Sequence, residues 1–121
     1  MNLKERVNAL NTLMLKGKID EAFEQFYHPE VVRQENHDEP RIGKAFNWEY
    51  EKKAIAKVDE WHAVEVRDVA LNEEDQVSMV VQFIEVTVDG KRFKREEVAV
   101  QKCQDGLIIY EKFYYSMESV K

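Results

Sequence analysis

The sequence predicts an α+β domain in which a cone-shaped, curved antiparallel sheet wraps around three N-terminal helices, in the order ααβαββββ. Apolar residues recur every three or four positions through most of the first 60 residues and at every second position afterwards. The second half also contains Asp89-Gly90 and Asp105-Gly106, dipeptides typical of two-residue β-hairpin turns. A small sheet can cover three helices only if its twisted strands curl around them.

The helices are predicted at three places. Residues 3–15 carry one apolar stripe and are followed by Gly17, which favours a helix end. The segment 18–27 has the same periodicity, and Pro29 stops it. The third and longest helix is predicted at 44–60.

The strands are predicted from β-branched and alternating residues. The loop 38–43 contains Pro40, which disfavours both helix and central strand. The predicted strands are 30–36, 61–71, 76–88, 91–103 and 107–115. Residues 116–119 are interpreted as a fraying tail.

Composition limits the function classes. A length of 121 residues predicts one domain, 1–121, with a single core. The 18 basic and 24 acidic side chains, a net charge of −6, argue against a nucleic-acid partner. A mean hydropathy of −0.60 without a long apolar run argues against a membrane, and the N-terminus lacks signal-peptide features. The single Cys103 excludes an internal disulfide and a Cys-based metal cluster, so we expect a cytoplasmic protein. The spacing of His28 and His37 matches no established ligand motif, so no metal is expected, and no cofactor is predicted.

Three short segments carry a resemblance. They are YHPEVV at 27–32 leading to EN at 35–36, EPRIGK at 39–44, and DGLI at 105–108 running into FYY at 113–115. Together, in this order, they resemble the SnoaL-like proteins of the nuclear transport factor 2-like superfamily, and they span nearly the whole chain. The resemblance implies the cone fold, but this fold carries isomerases, cyclases, hydrolases, transport adaptors and binding proteins.

Ketosteroid isomerase is similar to this group, and its chemistry needs a carboxylate base facing a Tyr and a protonated Asp. The resemblance puts Asn36 at the position of the base, with Glu35 expected on the opposite face of its strand. It puts Leu10 at the position of the Tyr and Ala99 or Val100 at that of the acid. Steroid-type isomerase activity is therefore not expected, and whether the chain is an enzyme stays open.

Glu111 and His62 are the candidate catalytic residues. Glu111 is expected on the inner face of the last strand between Ile109 and Phe113, where burial would raise its pKa and suit a general acid or base. A structural hydrogen-bond network is the alternative role for this carboxylate. His62 is a candidate proton shuttle, and the alternative is a strand histidine bonded to its neighbours.

A mostly apolar cavity is expected inside the cone. Its composition suits a small organic molecule, oriented by a few polar groups, although the same side chains could fill the core. The predicted ligand-binding residues are Gln34, Asn36, Phe46, Trp48, Tyr50, Met79, Phe83, Glu97, Gln101, Phe113 and Tyr115.

The outer face of the sheet is expected to be apolar as well. Val80, Ile84 and Val86 are placed on it opposite Met79 and Phe83, and Val98 and Val100 lie opposite Ala99. A second subunit would cover this face, as is common in related proteins, so a homodimer is predicted.

The sequence thus favours a small-molecule-binding protein whose ligand occupies the cone. An isomerase or polyketide-cyclase-like enzyme using Glu111 or His62, with Tyr115 as a donor, is the first alternative. A non-catalytic dimeric module for protein partners is the second.

Overall fold

A computed structural model describes residues 1–120, so that Lys121 of the predicted domain lies outside the described residues. The helices are α1 (Leu3–Leu15), α2 (Ile19–Phe26) and α3 (Lys44–Ala56). The strands are β1 (Tyr27–Glu35), β2 (Arg41–Ile42), β3 (Val58–Asn72), β4 (Val77–Val88), β5 (Lys91–Gln104), β6 (Leu107–Tyr114) and β7 (Glu118–Ser119). The predicted order of helices and long strands is confirmed.

Several elements differ from their predicted extents: β1 begins at Tyr27 rather than at residue 30, and β3 begins at Val58 rather than at residue 61. The third helix ends at Ala56 because Val58 pairs with Val88 at the start of β3, and this pairing overrides the helical periodicity. Two-residue strands occur in the predicted loop 38–43 and in the predicted tail, where each pairs with a neighbouring strand.

The first helix has a well-defined start. The side chain of Asn2 accepts a hydrogen bond from the Glu5 backbone N–H, and the Glu5 carboxylate accepts one from the Asn2 N–H. This reciprocal cap satisfies two of the N–H groups that the first turn leaves free. From there α1 buries Leu3, Val7 and Leu10 against the sheet and α2.

The sheet is curved and unclosed, with the strand order β2-β1-β6-β5-β4-β3 and β7 added beside β5. Its pairs are antiparallel except β1 and β6, which are parallel. The predicted α+β cone is confirmed, but its sheet is mixed rather than wholly antiparallel. The parallel pair is possible because a long connection, which includes α3 and four strands, separates β1 from β6.

The inner face of the sheet holds the core. Val80, Ala99 and Phe113 pack with Leu3 and Val7 of α1, and Val80 and Ala99 are fully buried. A second group, from α1, α2, β1 and β6, packs beside it: Leu10, Ala22, Phe23, Phe26, Tyr27, Val31 and Ile108.

The predicted faces of β4 are wrong. Met79 and Phe83 lie on the outer face, whereas Val80, Ile84 and Val86 lie on the inner face. Both faces of this strand are apolar, so alternation alone does not show which face is inside. A register shifted by one residue would move every side chain of the strand to the opposite face. The pairing of Val80 with Ala99 decides the orientation.

A bulge changes one position in β6. Cys103 pairs with Ile108 whereas Lys102 pairs with Tyr110, which leaves Ile109 as the extra residue. Ile108 therefore fills the core, and Ile109 does not share the inner face with Glu111 as predicted. Within residues 1–120, no helix has the length and apolar content needed to cross a membrane.

The orientation of β4 can be tested with Val80→Ala. Removing buried methyl groups should lower the free energy of unfolding by about 2 kcal/mol, because the packed surroundings cannot fully close the space. Urea denaturation followed by circular dichroism measures this. Val69→Ala is the matched control, since Val69 pairs with Val80 but is 42% exposed, and it should cost less than half as much. Equal costs would contradict the orientation.

Candidate functional site

A small polar cavity, here called the chamber, lies inside the cone between α1, α3 and the inner face of the sheet. Its volume is about 80 Å³, enough for a few water-sized groups. Charged and amide side chains dominate its lining, an unusual composition for the interior of so small a protein. The polar lining residues are Asn11, Tyr27, Arg33, Glu35, Glu51, Gln82, Arg95, Glu97, Gln101 and Glu111.

Glu111 is the centre of a buried hydrogen-bond network. The Tyr27 hydroxyl and the Arg33 Nε both donate to its Oε1, at 2.6 and 2.9 Å. Gln101 Nε2 donates to its Oε2 at 2.7 Å, and the Ser78 hydroxyl donates to Gln101 Oε1 at 2.8 Å. Both carboxylate oxygens are therefore occupied, and the donors to Glu111 come from β1 and β5.

Arg33 carries the balancing charge of this network. Its side chain is 3% exposed, and its Nη1 also reaches Glu51 Oε2 at 3.2 Å. Burial lowers the pKa of Arg33, but attraction to Glu111 more than offsets this and raises the pKa above its ordinary value. Burial followed by the charge of Glu111 raises the pKa of Tyr27, so its hydroxyl remains a donor.

Glu97 differs from the other chamber carboxylates. Its side chain is 3% exposed, and its Oε2 is a buried oxygen without a hydrogen-bond partner among the described residues. Arg95 Nη2 lies 3.5 Å from that oxygen. Burial raises the pKa of Glu97 to about 7, the charges of Glu111 and Glu35 add to the effect, and Arg95 partly opposes it. A carboxyl group with this pKa can both donate and accept a proton near neutral pH.

Arg95 lies at the opening of the chamber. Its guanidinium carbon is 4.3 Å from the centroid of the Tyr115 ring, a cation–π contact that holds the group in place. Its buried Nε has no hydrogen-bond partner among residues 1–120, so it keeps an unused donor beside the unused acceptor of Glu97.

An apolar cavity of about 220 Å³, here called the vestibule, adjoins the chamber. The two share Glu51, Ile84 and Arg95 in their walls, so the apolar vestibule and the charged chamber lie next to each other. The other residues of the vestibule are Ala54, Ile55, Val58, Trp61, Val86, Val88, Phe93 and Met117.

Four of the predicted site residues line the chamber: Glu97, Gln101, Glu111 and Phe113. Tyr115 lies beside it, over Arg95. These positions follow the alternation of inward and outward side chains along β5 and along the part of β6 that follows the bulge at Ile109. The sequence indicates this alternation correctly.

Other predicted residues lie outside the cavity. Met79 and Phe83 are on the outer face, where Phe83 contacts Arg67. His62 is also on the outer face, with its Nε2 2.7 Å from the Thr87 hydroxyl, so it does not reach the chamber.

The predicted residues of α3 face away from the cone. Phe46 and Tyr50 are 58% and 43% exposed, and the Tyr50 ring lies against Arg41 instead. Trp48 packs on Phe23, with ring centroids 5.3 Å apart. Helical periodicity identified one aromatic face of α3, but packing directs another face, with Glu51 and Ala54, toward the sheet.

The end of β1 is also shifted relative to the prediction. Glu35 lines the chamber and pairs with Arg41, whereas Gln34 points outward and accepts a hydrogen bond from Tyr110. Asn36 follows the strand with a φ of 48°, and its Oδ1 accepts the Tyr115 N–H at 3.0 Å. Its side chain thus closes a turn rather than continuing the strand into the cone.

Arg33, Glu35, Arg95 and Glu51 are the charged chamber residues that were not among the predicted site residues. A signal was present for the first two, because they share the parity of the buried Val31 on β1. The basic residues of 91–95 form a pattern typical of a solvated strand end, which gives no sign of the inward position of Arg95.

No protein-family model matches this chain, and no curated protein matches it. Solved structures do match. A candidate SnoaL-like polyketide cyclase from Mesorhizobium loti has a TM-score of 0.85 at 22% identity, over 95% of this chain and 100% of that one. A candidate isomerase from Bacillus subtilis has a TM-score of 0.79 at 16% identity, over 96% and 90%.

A third match is SalBIII, described as an epoxide hydrolase/cyclase-like enzyme in pyran ring formation in the polyether salinomycin. Its TM-score is 0.79 at 19% identity, over 98% of this chain and 95% of that one. Such similarity over nearly the whole of both chains identifies the fold. The chain therefore has the α+β cone fold of the SnoaL-like proteins in the nuclear transport factor 2-like superfamily.

Proposed function

We propose that this protein binds a small, uncharged, mostly apolar organic molecule in the cone and transfers a proton on it through Glu97. The observation that carries the proposal is the unpartnered Oε2 of Glu97, a buried chamber oxygen 3.5 Å from Arg95, which lines both the chamber and the vestibule. A buried polar atom without a partner costs free energy, so a ligand group that completes its bonding would bind there favourably.

The charges of the chamber favour an uncharged ligand. Arg33 is shared by Glu111 and Glu51, and Arg41 pairs with Glu35. Arg95 is the only positive partner of Glu97 among the described ion pairs. Counting these three arginines against four carboxylates, neutrality requires one proton, and Glu97 with its raised pKa is the carboxyl that holds it. Such a group can donate to a neutral oxygen, while an anionic ligand would meet the remaining carboxylates.

The size of the cavity sets the size of the ligand. The vestibule and the chamber together enclose about ten non-hydrogen atoms, at roughly 30 Å³ for each, and a ligand of about 13 such atoms would extend past the half-exposed rim residues Trp61 and Met117. The apolar body of the ligand would contact residues such as Ile55, Trp61 and Phe93, and one polar group would reach Arg95 and Glu97. This division is typical of ligand pockets, which combine apolar walls with a few polar groups that fix orientation.

The reaction class that fits best is that of an isomerase or cyclase. In this proposal Glu97 is the acid or base, and the Arg95 Nε donates to the oxygen that gains negative charge. Glu111 is a positioning residue, because its oxygens are occupied and its charge raises the pKa of Glu97. The candidate cyclase and candidate isomerase among the matching structures support this class. Steroid-type isomerase chemistry is not proposed, since Leu10 and Ala99 supply no donor or acid.

A homodimer formed through the outer face of the sheet is a second proposal. Val81 pairs with Val98 and Val98 with Tyr114, while Met79 pairs with Val100, so an apolar band crosses three strands on the outside. Bands of this kind mark interaction surfaces. Glu65, Arg67 and Glu96 beside it carry both signs of charge, which suits a second copy of the same surface. We also propose a cytoplasmic location, on the sequence features given above.

Ligand binding can be tested with 2-acetylnaphthalene, an uncharged aromatic ketone. We expect it to bind and to quench the fluorescence of Trp61, whereas 2-naphthoate, its carboxylate analogue, should bind at least about tenfold more weakly because of the chamber carboxylates. Ala54→Arg should block binding by filling the vestibule. Ala56→Arg, also exposed on α3 but outside the vestibule, is the matched control. Equal effects of the two variants would contradict the site.

The raised pKa of Glu97 predicts a pH dependence of stability. The folded state keeps this proton up to about pH 7, whereas the unfolded chain releases it near 4.5, so the folded state binds more protons between these values. The contribution of Glu97 to stability therefore falls as pH rises through this window, by up to about 3 kcal/mol.

Urea denaturation at pH 5 and pH 8 would measure this effect. Glu97→Gln should remove the decrease in the free energy of unfolding that the ionisation of Glu97 causes. The variant should therefore be more stable than wild type at pH 8. Glu96→Gln is the control, because Glu96 precedes Glu97 in β5 but its side chain is exposed on the outer face of the sheet. The assignment fails if both variants change the pH dependence equally.

Sedimentation tests the homodimer. Wild-type protein should sediment as a dimer at micromolar concentration, and Val81→Glu should convert it to a folded monomer by placing a charge in the apolar band. Val69→Glu, at an exposed valine of β3, should leave the dimer intact. A stable wild-type monomer at this concentration would rule the dimer out.

A further inference from the structure

The C-terminal segment crosses the mouth of the vestibule. After β6 ends at Tyr114, residues 115–117 leave the sheet, and Glu118 and Ser119 of β7 then pair with Lys94 and Phe93 of β5. The Val120 N–H donates to the Arg92 carbonyl at 2.9 Å. Residues 115–120 are here called the strap.

The strap contributes to both compartments of the site. Met117 lines the vestibule, while the Tyr115 ring lies over Arg95 at the opening of the chamber. The strand segment that the strap pairs with also belongs to the site, since Phe93 lines the vestibule. The strap therefore forms one wall of the vestibule and pairs with β5, which forms the adjoining wall.

This wall is held weakly at its far end. The attachment consists of a two-residue ladder, the Val120 hydrogen bond and an ion pair in which Lys94 Nζ lies 4.0 Å from Glu118 Oε2. Both side chains of the ion pair are exposed, so it contributes little. The near end is firmer, because Asn36 accepts the Tyr115 N–H at 3.0 Å. A segment that is held by only a few backbone hydrogen bonds, all exposed to solvent, opens locally at a low free-energy cost.

We propose that the strap is a movable wall of the vestibule and that Met117, which it carries, limits the length of the apolar part of the ligand. The proposal rests on the proposed function, since it describes how that site admits and selects its ligand. Met117 is 52% exposed, with the rest of its side chain facing the vestibule rim. A shorter side chain there would extend the vestibule outward, and a larger one would shorten it.

Two ketones of different length measure this selection. Met117→Ala should shift the ratio of affinities toward 2-acetylnaphthalene over acetophenone by about tenfold, the effect that a small change in an apolar pocket produces. Met117→Trp should shift the ratio the other way. Met79→Ala is the matched control, because Met79 is 46% exposed but lies on the outer face. If the Met117 variants behave like the control while wild type binds both ketones, the proposal is overturned.

A reversible cross-link tests movement. Lys94 and Glu118 are direct partners in the ladder, so cysteines at both positions, with Cys103→Ser to remove the native thiol, can form a disulfide. Oxidation should slow the association of 2-acetylnaphthalene at least about tenfold, and reduction should restore it. Equal rates in the two states of the same protein would show that the strap need not open.

A ligand-free measurement separates this proposal from the proposed function. With Trp48→Phe as background, acrylamide quenching reports on Trp61 in the vestibule. Met117→Ala should raise the quenching constant of Trp61, and Met79→Ala should not. If wild type binds neither ketone, the proposed function has failed. Quenching then still decides whether Met117 covers the vestibule. An unchanged quenching constant of Trp61 in the Met117→Ala variant overturns this role of Met117, and a raised constant supports it.

Discussion

The ion pair between Arg33 and Glu111 is the interaction on which the arrangement of the cone depends. The two residues are direct neighbours across β1 and β6, the parallel pair that closes the sheet over the helices. Two charges are buried here, and a burial of this kind is tolerated only when further hydrogen bonds satisfy the remaining atoms. Tyr27, Gln101 and Glu51 supply those partners, so the pair joins β1, β5, β6 and α3 at one point. Loss of the Arg33 charge would leave Glu111 without a positive partner in the interior.

The same pair creates the electrostatic setting of Glu97. Arg33 is bonded to Glu111 and Glu51, so Arg95, at 3.5 Å, is the only cation in an ion pair with Glu97 among the described residues. Burial and the nearby charges of Glu111 and Glu35 then raise its pKa to about 7. The structural role of Glu111 and the chemical role proposed for Glu97 are therefore linked. One carboxylate is fully bonded, and its charge helps to keep its neighbour ready to exchange a proton.

The space between the helices and the inner face of the sheet is divided into a charged part and an apolar part. Beside α1 the side chains fill most of the space and leave the chamber of about 80 Å³, lined mostly by charged and amide groups. Between α3 and strands β3, β4 and β5 lies the apolar vestibule of about 220 Å³, and Met117 of the C-terminal strap lines it. Arg95 stands at the boundary, where Tyr115 of the strap packs on it. The mouth is thus completed by the segment that sequence patterning treated as a tail.

The sequence by itself determined the elements, their order and the cone fold, because helical and strand periodicities and the two Asp-Gly turns are local properties. It also identified Glu97, Gln101, Glu111 and Phe113 as a group, since all four follow one alternation on neighbouring strands. Only the tertiary structure decided which face of β4 is inside, where α3 directs its aromatic residues, and that Glu35 rather than Asn36 enters the chamber. The physical reason is that periodicity reports two faces without distinguishing them when both are apolar. Register, the bulge at Ile109 and the packing of helices against the sheet make that choice through contacts between residues far apart in the chain.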